Sequence, residues 1–145
     1  MKKILLGVLV CFIIIQFIRP EKNISENITN EFSVALKAPE AINLILETSC
    51  IDCHSNNTKY PWYSEIAPVS WFLAEHVNNG KTHLNFSEWS SYNSNQKKHI
   101  IKDFKDVLKT QEMPLKSYLI MHKDAALTKE QSELFKNWIK TIVIN

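Results

Sequence analysis

Between Ser49 and Ser55 the chain reads Cys50-Ile51-Asp52-Cys53-His54, and this run limits the possible folds more than any other feature of the 145 residues. Two thiols three positions apart lie on one face of a helical turn. Such a pair serves as a redox dithiol, as half a zinc site, or as an attachment site for haem. A dithiol of the thioredoxin type needs a strand–helix–strand context, and a structural zinc needs two further ligands. No sustained apolar–polar alternation, second Cys-x-x-Cys or His-x3-His pair is present to meet those needs. The adjacent His54 favours the third reading, with a disulfide or another metal as the alternatives. Both thiols can then reach the vinyl groups along one haem edge, while the imidazole lies beneath the iron as proximal ligand. The expectation is one covalent haem c on Cys50 and Cys53, with His54 on the iron.

A large flat cofactor needs helices to wrap it, and the remaining sequence predicts them. From about Pro39, Ala41, Leu44, Ile45 and Thr48 form one stripe leading into Cys50. Pro68 to Val77 repeats the pattern with Trp71, Phe72 and Val77, and Asn78-Asn79-Gly80 is a stop signal. Ile100, Ile101, Phe104, Val107 and Leu108 make a third stripe, closed by Met113-Pro114. A fourth helix opens on Thr128-Lys129-Glu130-Gln131, which has the form of a capping box, and buries Leu134, Phe135, Trp138, Ile139 and Ile142. Only two glycines occur, which suits helices better than a turn-rich sandwich. The predicted class is all-α. The four tryptophans are expected to pack the core and the haem pocket.

The N-terminus reads as an address. Met1-Lys2-Lys3 is cationic, Ile4 to Ile18 is apolar except for Gln16, and Arg19-Pro20 closes the run. This is the form of an export signal. No Ala-x-Ala pattern follows, so an uncleaved anchor in the bacterial inner membrane is expected over a cleaved peptide. The domain would then face the periplasm; cleavage would leave a soluble periplasmic protein. The run is slightly short against the roughly 20 apolar residues that span a bilayer. The expected organisation is a signal segment over 1–20, a polar tether over 21–36 and a haem domain over 37–145. The triplets at Asn23, Asn27 and Asn56 match the glycosylation pattern and are read as chance. The 17 basic and 15 acidic residues nearly cancel, and no basic block interleaved with aromatics appears, so nucleic acid is not an expected partner.

For the sixth iron position the first candidate is Met113, whose thioether would raise the potential relative to a second histidine. Its plain alternative is core filling. Met121, in the run Tyr118-Leu119-Ile120-Met121, reads as core. His76, on an aromatic-rich helix, is the less favoured alternative ligand. His99 and His122 stand among lysines and are expected in solvent, while His83 is open to either reading.

The run Cys50 to Trp71, with Ser55-Asn56-Asn57-Thr58-Lys59-Tyr60-Pro61-Trp62-Tyr63-Ser64 inside it, resembles the bacterial haem-binding domain family of small cytochrome c-like proteins. His83 to Trp89, Glu112 to Leu115, Ser117-Tyr118 and Leu127-Thr128 agree with it. The resemblance implies a helical cytochrome c-like fold around one covalent haem, with first and last helices packed together. It also implies Met113 as distal ligand through the Met-Pro step. The expected function is one-electron transfer to an unidentified redox partner, with no catalytic residue. A haem peroxidase, which would need His76 as distal acid–base group, and a gas-sensing or accessory haem module are the rivals.

Overall fold

The computed structural model describes residues 1–26 and 29–144, and every regular element among them is helical. In chain order these are α1 (Lys2–Ile15), α2 (Glu31–Ala35), α3 (Glu40–Ser49), α4 (Ile51–His54), α5 (Val69–His83), α6 (Ser94–Thr110), α7 (Lys116–Leu119) and α8 (Lys129–Thr141). Short 3-10 turns cover Trp62–Glu65, Phe86–Ser91 and Lys123–Ala125. Local chemistry sets the ends of the longer helices. Thr128 and Gln131 cap α8 reciprocally: the Thr128 hydroxyl accepts from the Gln131 amide at 3.1 Å, and the Gln131 side chain accepts from the Thr128 amide at 2.9 Å. Asn93 and Gln96 form the same box on α6. That helix stops where Gln111 turns left-handed, at φ 56°.

The core centres on Phe32, which is wholly buried. Its ring lies 5.0 Å from Phe86, 4.9 Å edge-on to Trp89 and 5.8 Å from Phe104. Ile42, Ile45 and Leu46 of α3, Ile100, Ile101 and Leu108 of α6, and Phe135 and Ile139 of α8 complete it. Helix α8 packs on both α6 and α3.

Several expectations need correction. Phe32 lies inside the stretch 21–36 expected to be a tether, so folded structure begins well before residue 37. Asn23 also lies in that stretch, and it is bonded into the loop after His54. The α3 stripe is one position out of phase: Ile42, Ile45 and Leu46 face inward, while Leu44 is exposed. Apolar residues at 41, 42, 44, 45 and 46 satisfy two stripes at helical spacing, and tertiary contacts choose between them. Helix α5 runs through Asn78-Asn79-Gly80 to His83 instead of ending there. Ile120 and Met121 are exposed, not core. Trp62 is exposed as well, and Trp89 and Trp138 pack around Phe32 in the core.

Helix α1 buries none of its residues. It ends at Ile15 because Gln16 turns onto the domain, where its side-chain oxygen accepts from the Ala67 amide at 2.9 Å and its amide donates to the Ala67 carbonyl at 3.2 Å. No helix among the described residues is long and apolar enough to cross a membrane.

Candidate cofactor site

The run of two thiols and an imidazole falls on α4, a single turn immediately after α3. Helix α5 crosses it closely. A Cβ placed on Gly80 would lie 2.6 Å from the Cys53 carbonyl oxygen, so only glycine allows the two backbones this approach. The glycine that reads in sequence as a helix stop is therefore a packing residue.

His54 is oriented by the segment that leaves α5. Its Nδ1 lies 3.0 Å from the Leu84 carbonyl oxygen. A carbonyl only accepts, so Nδ1 carries the proton and Nε2 is left bare. Burial pulls the His54 pKa below its ordinary value, and the carbonyls of Leu84 and Gly80 pull the other way. The ring thus favours its neutral, ligating form. Burial pushes the Cys50 thiol up to about 12, with Cys53 adding to the effect. It pushes Cys53 to about 11, with the Asp52 charge adding. Reactive dithiols have lowered pKa values, and these are raised, which argues against the redox-dithiol reading. Among the described residues no group of three or more His, Cys, Asp and Glu side chains is placed to hold a metal ion.

Cys50, Cys53 and His54 line one wall of a cavity of about 570 Å³. This lies within the roughly 300–1,000 Å³ usual for cofactor sites. Phe86, Ile100, Phe104 and Val107 supply apolar walls. Met113, Pro114 and Leu115 line it from the segment that follows α6. His76 and His83 line it as well, from α5. Both are bound to their own helix: His76 Nδ1 lies 2.8 Å from the Phe72 carbonyl oxygen, and His83 Nδ1 lies 2.8 Å from that of Asn79. All five sequence-predicted site residues therefore border one space. Two thiols, an imidazole with a bare nitrogen and an apolar chamber beside them suit a covalently held haem.

Further side chains brace this site through partners that no spacing in the sequence marks. Asn23 donates from its side-chain amide to the Ser55 carbonyl at 2.8 Å and to Thr58 Oγ1 at 2.9 Å, while Lys81 donates to its Oδ1 at 2.6 Å. Asn56 donates to Glu88 at 2.8 Å and accepts from Asn85 at 2.8 Å. Two of the three glycosylation-like triplets thus begin with structural amides, and the third, Asn27-Ile28-Thr29, begins outside the described residues. Asp52, between the two cysteines, accepts from the Tyr118 hydroxyl at 2.7 Å. His122 is not simply solvated: it stacks on Tyr118 at 4.1 Å and is hydrogen-bonded to the Tyr63 hydroxyl.

The family model for a haem-binding domain matches residues 10–141. No curated protein and no solved structure matches the chain.

Proposed function

The chain belongs to the haem-binding domain family, and on that premise we propose that it is a one-electron carrier with a single covalent haem c. The observation that carries the reading is the cavity shared by Cys50, Cys53, His54 and Met113. Haem supplies ferric–ferrous chemistry when bound. Cys50 and Cys53 would hold the haem through thioethers, and His54 would offer Nε2 to its iron while the Leu84 carbonyl holds the Nδ1 proton. Met113 would offer its sulfur to the iron as a second ligand, and Phe86 and Phe104 would keep water from the site. The protein works on the periplasmic face of a bacterial inner membrane, attached through its apolar N-terminal segment, and exchanges electrons with a partner protein.

Produced with a cytochrome c maturation system, the protein is expected to keep haem through denaturing electrophoresis and to lose it in the Cys50→Ala, Cys53→Ala double variant. Haem lost from the unaltered chain on denaturation overturns covalent attachment. Met113→Ala is expected to abolish the far-red sulfur–iron band, open the iron to carbon monoxide and lower the potential, whereas His76→Ala leaves coordination intact. One observation favours a second reading, a ligand-binding or peroxidase-like haem module. Met113 is 41% exposed on a non-helical segment, a position from which it can swing away. High-spin ferric iron that reacts quickly with peroxide in the unaltered protein is the result that selects it.

A further inference from the structure

Helix α1, Lys2–Ile15, is too short to span a bilayer by itself. Fourteen helical residues reach about 21 Å, against a hydrocarbon core of about 30 Å. Its C-terminal end, however, is fixed to a particular place on the domain. Gln16 is bonded twice to the Ala67 backbone, and the Trp71 indole donates to the Ile18 carbonyl at 2.7 Å. Within five residues of Ala67 on either side, the domain carries large apolar side chains in the open: Trp62 at 72% exposure and Phe72 at 51%, with Ile66 and Val69 also exposed. Phe17 and Ile18, next to Gln16, are exposed as well. Glu65, within this collar, is compensated by Arg19 at 3.5 Å and Lys22 at 2.5 Å.

From the exposed apolar side chains on both sides of this junction we infer that the domain lies against the lipid surface, with Trp62, Ile66, Val69 and Phe72 sunk into the bilayer interface beside the end of α1. The inference rests on the membrane-attachment reading above and deepens it. The collar makes up the length that α1 lacks, because the apolar zone continues from the helix onto the domain instead of ending at Ile18. A tryptophan at its edge and cations that can reach the phosphates are the usual furniture of that interface. The family match also begins at residue 10, inside α1, as expected if that helix and the domain form one unit.

The test uses the full haem-loaded chain in phosphatidylethanolamine–phosphatidylglycerol vesicles, with Cys11→Ser removing the remaining free thiol. Nitroxide labels are placed through Val69→Cys, Phe72→Cys and, as a control, Lys98→Cys, all at exposed positions. Preserved haem absorption shows that each variant is folded. The expected result is co-sedimentation with vesicles and a several-fold higher ratio of oxygen to aqueous nickel-chelate accessibility at 69 and 72 than at 98. Co-sedimentation with labels 69 and 72 as aqueous as 98 overturns the inference and leaves membrane attachment standing. Labels shielded from both reagents mean that another protein surface covers the collar, and this too overturns it. Failure to sediment with vesicles overturns the attachment itself and the inference with it.

Discussion

Tyr118 links the two sides of the cavity. It lies five residues beyond Met113 and donates to Asp52, the residue just before Cys53. Burial, and then the bond to Asp52, push its pKa above the ordinary phenol value, so the hydroxyl remains a donor throughout the physiological range. His122 stacks on the same ring and is tied to Tyr63, so the segment bearing Met113 is fastened to the thiol-bearing turn. A hydrogen bond to a charged acceptor contributes about 1.5–3 kcal/mol, and half-burial places this one at the lower end. Tyr118→Phe is therefore expected to lower stability to urea by about 1–2 kcal/mol. It is also expected to speed cyanide entry in the haem-loaded protein, because Met113 is then less firmly held. Asp52→Asn keeps an acceptor oxygen and should cost less on both measures. Unchanged urea stability together with unchanged cyanide kinetics in Tyr118→Phe would show that the bond holds nothing in place.

Among the elements, α5 crosses α4 at a point where only glycine fits. Alanine is favoured over glycine inside a helix by about 1 kcal/mol, so propensity alone predicts that Gly80→Ala stabilises α5. The 2.6 Å approach to backbone at Cys53 predicts the opposite. Overpacking of this kind typically costs about 1–3 kcal/mol, and steric conflict with backbone is expected to win. Gly80→Ala should melt lower and carry less covalent haem per chain; a higher melting temperature would show that α5 can move away freely. Helix α2 is held differently. Glu31 accepts from the Ser90 hydroxyl at 2.6 Å and the Ser90 amide at 2.9 Å, and these bonds hold its carboxyl below the ordinary 4.5. A depressed folded-state pKa gives stability that is present above the unfolded value and is lost as pH falls through the folded one. Melting temperature should therefore fall more steeply below pH 4.5 in the natural chain than in Glu31→Gln. Parallel curves would remove Glu31 from the acid response.

For the whole molecule, the decisive side chain is Phe32. Truncating a fully buried phenylalanine costs about 3–5 kcal/mol, a large share of the 5–15 kcal/mol that holds a small domain together. Phe32→Ala, and a chain beginning at residue 37, are both expected to lose cooperative unfolding or nearly so, whereas a chain beginning at 21 retains Phe32 and Asn23 and is expected to fold. Calorimetry distinguishes the two truncations. What could be read from sequence follows the range of the interactions involved. The all-helical class, the α8 capping box and the α6 stripe are written in neighbours a few residues apart. Phe32 opens a run of barely one helical turn, Phe32 to Leu36, too short to show a period, so nothing local marks it as the core's centre. The thiols and imidazole announce themselves by side-chain type, but the Leu84 carbonyl that orients His54 is backbone and leaves no pattern. Asn23 and Gly80 resemble ordinary loop and stop residues because their partners lie far along the chain.

On the electron-carrier reading proposed above, the pair of hydrogen bonds from Gln16 to Ala67 bears on how a redox partner would be met. A free ten-residue linker would let its cargo wander roughly 17 Å, sweeping a hemisphere around its point of attachment. Here that search is absent, because the domain is pinned where α1 ends. Encounters must then come from a partner diffusing to the domain, and their rate should follow partner density and not linker length. Gln16→Ala, by freeing the domain to swing, would restore some of that reach.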